Sequence, residues 1–243
     1  MSFLLPHRRT GRDDKPAAQL RTVDGRLTNS FMIHNPNNIL TAGVPLQEAT
    51  RVMVLVHGRG GSARDMLSLV PYLQHTEGMA FVAPQATDNT WYPYSFLQPI
   101  ERNEPYLSSA LLMLKMVLAR LQADANVKEP QMYWLGFSQG ACLTLEFLAR
   151  HPGTYGGIFG LSGGLIGPDG TPRDYEGTFS QTPVFLGCSD VDPHIPKERV
   201  LETEAVYSRM GAQVQTKLYH NGPHTITDDE LSLVNRILAG NTD

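Results

Sequence analysis

Apolar positions along this chain follow two different periods, and the order of those periods predicts the fold. Short continuous apolar runs bounded by turn formers predict buried strands at residues 51–56, 79–83, 131–135, 157–161, 183–187 and 214–219. Between them lie stretches with helical spacing: 62–75, 141–150, 196–210 and a last one from Asp228. The clearest runs through Leu107, Leu111, Leu114, Leu118 and Leu121, a single apolar stripe on one helix face. Two further strand-like stretches, 19–24 and 30–34, suit an antiparallel hairpin at a sheet edge. Strands alternating with helices predict an α/β architecture: a mostly parallel sheet covered by helices on both faces. Residues 1–18, polar and proline-containing, read as a loose N-terminal arm, and residues 19–243 as one domain.

Composition narrows the choice of partners. The formal net charge of −4 gives no reason to expect nucleic acid or an anionic membrane. The longest apolar runs are far too short to span a bilayer, and the N-terminus lacks the shape of a signal peptide. The expectation is a cytoplasmic protein without stable membrane association. Cys142 and Cys188, the only cysteines, lie in apolar surroundings and read as free buried thiols.

Chemistry concentrates after the strand ends. Gly136-Phe137-Ser138-Gln139-Gly140 stands between a strand and a helix, the sharp turn that exposes a serine hydroxyl as a nucleophile. Gly160-Leu161-Ser162-Gly163-Gly164 has the same spacing, but turn formers follow it instead of a helix, so Ser162 reads as a strand-end loop residue. Downstream, one strand runs into a loop holding Asp190 and Asp192, and another into a loop holding His220 and His224. Serine, then aspartate, then histidine is the chain order of the α/β-hydrolases. His57-Gly58-Arg59-Gly60-Gly61 follows the first buried strand. In that fold its backbone, most simply the Arg59 amide, joins the Gln139 amide in holding an oxyanion. Ser62 and Asp65 form a capping-box pattern behind it.

Taken together, these segments resemble the phospholipase/carboxylesterase family that includes the acyl-protein thioesterases. The resemblance rests on His57-Gly58-Arg59-Gly60, Gly136 to Gly140, Leu161-Ser162-Gly163, Asp192-Pro193-His194-Ile195-Pro196 and Gly222-Pro223-His224, and runs from about Arg51 to the C-terminus. It implies an α/β-hydrolase fold without a large cap domain. It also implies catalytic roles for Ser138, Asp192 and His224, with Asp190 and His220 as the rivals. Arg59, where thioesterases usually carry an apolar residue, and the segment Asn89 to Leu97 resemble the HGRG-type bacterial esterase branch.

The implied activity is serine carboxylesterase, with short-acyl or small aryl esters as favoured small-molecule substrates. Thioesterase or lysophospholipase activity is the alternative within the class, and a catalytically dead binding protein the rival outside it. No cofactor and no metal site is expected; the spacing of His194, His220, His224 and Asp192 fits no recurrent zinc motif. A homodimer is left open, since homodimers are common among similar proteins. His220 reads as a packed strand-end residue, and the Arg59 side chain as the partner of a local acid such as Asp65, with an anionic group on the substrate as the alternative. Trp91, first among them, with Tyr92 and Phe96, is expected to line the substrate pocket.

Overall fold

The computed structural model describes residues 22–23, 26–27, 32–124 and 127–241. The chain divides into two units, Met1–Phe31 and Met32–Asp243. Within the first, strand β1 (Thr22–Val23) pairs antiparallel with β2 (Arg26–Leu27).

The second unit is built on a seven-stranded sheet of β3 (Ile39–Gly43), β4 (Arg51–Val56), β5 (Met79–Pro84), β6 (Met132–Phe137), β7 (Gly157–Leu161), β8 (Pro183–Ser189) and β9 (Gln213–Tyr219). Their order is β3-β5-β4-β6-β7-β8-β9; only β3 is antiparallel to its neighbour. The middle strands are buried on both faces, which is why they read as unbroken apolar runs. Helices α2 (Tyr106–Asp124), α3 (Gln139–Arg150) and α4 (Lys197–Arg209) share a core with Val52, Val54 and Val56. The alternate residues Met53 and Leu55 point into a second core with α1 (Ala63–Leu67) and α5 (Asp228–Leu238). The period of two along β4 thus assigns each helix to a face.

Two expectations are corrected. The antiparallel edge strand is β3, not a hairpin of 19–24 and 30–34. Of those stretches, Thr22–Val23 belong to the β1–β2 ribbon and the rest as far as Phe31 lies outside the described residues, as do residues 1–18. Met32 to His34 form no strand, because the amides of Ile33 and His34 both donate to Ser109 Oγ. Sequence alternation could not reveal β3, whose exposed positions Leu40, Thr41 and Gly43 straddle no apolar face. The helix expected over 62–75 stops at Leu67. Pro71, with no N–H to give, leaves only a 3-10 turn at Val70–Tyr72.

Between β7 and β8 there is no helix and no cap, only a loop fastened by side chains. Its anchor is Glu146 on α3, whose side chain is 2% exposed. Glu146 accepts from Arg150 (2.7 Å), the Tyr175 hydroxyl (3.0 Å) and the Ile166 amide (3.1 Å), with Arg173 at 3.9 Å. Arg199 on α4 completes the fastening through Asp169, Glu202 and the Leu165 carbonyl. Removing one partner of such a network strands the others without water. We expect Glu146→Ala to cost about 3–5 kcal/mol in urea denaturation. Glu146→Gln, which keeps an acceptor for Tyr175 and Ile166, should cost clearly less. Equal losses for the two variants would show that the charge, and not hydrogen bonding, fastens the loop.

Candidate active site

Ser138 lies between the last residue of β6 and the first of α3, with φ 54° and ψ −120°. The left-handed backbone is disfavoured for any residue with a side chain, so neighbouring contacts must hold it. They do: the Ser138 amide donates to Leu161 O (2.9 Å) and its carbonyl accepts from the Cys142 amide (3.0 Å). Gly140 permits the turn. A Cβ there would collide with the carbonyl oxygens of Val56 and His57, so α3 begins pressed against the end of β4. Gly58 is more loosely held: a Cβ there would lie 3.2–3.3 Å from Ser138 Cβ and Phe137, a close contact that leaves the loop beside the serine.

His224 Nε2 is 2.9 Å from Ser138 Oγ, and His224 Nδ1 is 2.6 Å from Asp192 Oδ2. An ionised carboxylate only accepts, so Nδ1 carries the proton and Nε2 presents a lone pair to the serine hydroxyl. The Asp192 side chain is fully buried. Burial works against its charge, but the bonds from His224 and from the amides of His194 (2.8 Å) and Ile195 (3.0 Å) outweigh that and hold the carboxyl below the usual value. The rival pair is also formed: His220 Nδ1 lies 2.9 Å from Asp190 Oδ2. It stands at the surface, with the His220 side chain 85% exposed, so His220 is not the packed residue expected. Ser162 is buried, its amide bonded to Gly187 O.

The amides of Gln139 and Arg59 have no acceptor among the described residues. Their side chains are occupied elsewhere, on a shared task. Gln139 accepts from the Trp91 amide (3.0 Å) and donates to Tyr92 O (2.7 Å). Arg59 donates to Pro93 O (2.9 Å) and Tyr94 O (2.8 Å). It does not pair with Asp65, whose carboxylate instead closes the Ser62 capping box of α1. The four-residue aromatic segment is therefore stitched to the two residues whose amides are unoccupied.

That segment walls a cavity of about 860 Å³ shared with Ser138, His224 and Asp192. Tyr92 and Phe96 line it. Trp91 does not. It is fully buried behind the wall, its indole N–H donating to His57 O (2.8 Å) and its ring tilted over the His57 ring at 4.9 Å. A buried indole usually finds an acceptor, and Trp91 finds it in the carbonyl that precedes the Gly58–Arg59 loop. His194, which sequence reasoning passed over as a site residue, lines the cavity with its ring edge-on to His224 at 5.1 Å. Cys142 and Cys188 are both free and buried.

A seven-stranded, mostly parallel sheet with serine, acid and histidine beyond the carboxyl ends of its strands defines the α/β-hydrolase fold. The chain belongs to the phospholipase/carboxylesterase family, whose model matches residues 38–241. It is similar to a phospholipase/carboxylesterase of Dyadobacter fermentans of known structure: TM-score 0.81, 46% identity, 85% of this chain and 97% of that one covered. It is also 26% identical over 216 residues to acyl-protein thioesterase 1 of Saccharomyces cerevisiae, covering 80% of this chain and 94% of the relative. To the Kluyveromyces lactis acyl-protein thioesterase 1 it is 30% identical over 66% of this chain and 78% of the relative. Among the described residues, no helix is long and apolar enough to cross a membrane.

His57 fixes the loop that carries Gly58 and Arg59. Its Nε2 accepts from the Ala86 amide (3.1 Å), so the ring proton must sit on Nδ1, which donates to Gly58 O (2.7 Å). Burial pushes its pKa below the ordinary histidine value, against a smaller upward pull from the Gly58 carbonyl. An imidazolium would turn Nε2 into a donor facing another donor. The unfolded chain therefore binds this proton more readily than the folded one. Stability from neutral His57 is complete above the ordinary histidine pKa and is lost as pH falls from there through the lowered folded-state value. Nitrogen-15 NMR of the imidazoles should show the Nδ1–H tautomer at His57 and a titration midpoint below the usual range. An Nε2–H tautomer would contradict this.

Proposed function

We infer that this protein is a serine carboxylesterase. The observation that carries the reading is the unbroken line of two hydrogen bonds from Ser138 Oγ through His224 to buried Asp192. In the proposed reaction His224 Nε2 takes the hydroxyl proton as Oγ attacks the ester carbonyl. The amides of Arg59 and Gln139 hold the resulting oxyanion. Asp192 keeps the proton of His224 on Nδ1 and stabilises the imidazolium. Collapse of the intermediate expels the alkoxide, which leaves as the alcohol with the proton from His224. Water, deprotonated by the same imidazole, then attacks the acyl-enzyme and frees the acid and Ser138.

The names of the yeast relatives favour a second reading, thioester hydrolysis. The same groups would serve it, with a thiolate as the leaving group.

A fluorophosphonate should form its adduct on Ser138 and not on Ser162. Asp192→Asn, which permits the wrong histidine tautomer, should lower kcat by ~10⁴, the loss found for the equivalent change in a serine protease. Asp190→Asn should change kcat little, because its histidine partner is solvated. An adduct on Ser162, or a larger loss in Asp190→Asn, would remove these assignments.

The cavity volume suits a small ligand, and the β7–β8 connection is a fastened loop with no helices to enclose a long chain. Short acyl chains and small aryl esters are the substrates we favour on that ground. Across 4-nitrophenyl esters of rising acyl length, kcat/KM should peak at short chains and decline toward palmitate. A maximum at palmitoyl would favour the thioesterase or lysophospholipase reading instead.

A further inference from the structure

Resting on the esterase reading, we propose that the Arg59 guanidinium is a specificity determinant that selects esters bearing a second, free carboxylate. The cavity lining holds one residue of each fixed charge, Arg59 and Asp192. Asp192 offers nothing to a ligand: its side chain is fully buried and its oxygens are divided among His224, two backbone amides and the Cys188 thiol. Arg59 is exposed and pairs with no acid among the described residues. The wall therefore presents a cation without a compensating anion.

The guanidinium is held in place before any ligand arrives. It donates to the carbonyls of Pro93 and Tyr94, and its central carbon stands 6.0 Å from the centre of the Tyr92 ring. Those two bonds use two of its five N–H groups; the rest remain to receive a carboxylate, and the fork geometry suits one. Fixing the side chain in advance removes much of the ordering cost of binding. A purely structural clamp would need only neutral donors, as Gln139 demonstrates on the same segment. Since the amide of this same residue is proposed to hold the oxyanion, the length of the Arg59 side chain bounds how far the selected carboxylate stands from the reacting carbonyl.

Two matched pairs test the idea and locate the group. Monoethyl adipate against ethyl adipamate places the charge on the acyl side. 4-Carboxyphenyl butyrate against 4-carbamoylphenyl butyrate places it on the alcohol side. The wild type should favour the charged member of at least one pair by about tenfold in kcat/KM, the order expected of a charge-assisted hydrogen bond. The preference should shrink with added NaCl. In Arg59→Met the ratio should fall toward one, whatever happens to both rates together, while Arg59→Lys should retain part of it. Calorimetry of adipate binding, lost in Arg59→Met, reads the same site without turnover. No preference in either pair, or a preference that survives Arg59→Met, overturns the inference. If the neutral esters are turned over without such a preference, the esterase reading stands alone. If Ser138 takes no fluorophosphonate, it is the esterase reading that has failed.

Discussion

The start of helix α3 lies so close to the end of strand β4 that no side chain fits between them at Gly140, and most of the site follows from this contact. It forces Ser138 into a left-handed backbone conformation at the top of the sheet. It also places the Gly58–Arg59 loop, which leaves the end of β4, directly against the serine. One steric constraint thus brings together the proposed nucleophile and both amides proposed to stabilise its product. The strain is held by main-chain bonds to the neighbouring strand and within the helix, so the geometry exists before a substrate binds.

A second coupling runs through side chains. Gln139 holds the backbone of Trp91 and Tyr92, and Arg59 holds that of Pro93 and Tyr94. Trp91, from behind, donates to the carbonyl of His57 and packs on its ring. The cavity wall and the Gly58–Arg59 loop therefore form one unit, and a change in the aromatic segment would be felt at the amides of Arg59 and Gln139. This also gives Trp91 its place: it supports the loop from the buried side, where an indole with one donor finds one acceptor.

Much of this was readable in the sequence because it depends on local rules. Buried strands show as apolar runs, and Ser138 differs from Ser162 by the helix that follows. The structure sharpens that distinction, since Ser162 has nearly the same left-handed φ, 52° against 54°. Backbone conformation alone does not make the site; what Ser162 lacks is a helix start and exposure. The unread features depend on contacts distant in the chain. Edge strand β3 is defined by its partner β5 rather than by its own pattern. The burial of Trp91 depends on His57, 34 residues earlier, and the role of the Arg59 side chain on a loop 34 residues later.

The two aspartate–histidine pairs show why sequence spacing cannot choose between acids. Asp190 with His220 and Asp192 with His224 are near-duplicates, separated by 30 and 32 residues, each with one carboxylate oxygen on Nδ1 and the other on backbone amide. Their difference is position relative to water. Asp190–His220 is solvated, where a paired charge gains little. Its imidazole Nε2 faces Asn221 Nδ2, not a hydroxyl. The Asp192 side chain is withdrawn from solvent and held by the amides of His194 and Ile195, and its histidine reaches Ser138. In that low-dielectric setting a carboxylate has most to offer an imidazolium. The loop geometry that buries Asp192, rather than the identity of the acid, is what distinguishes a structural pair from one able to support chemistry.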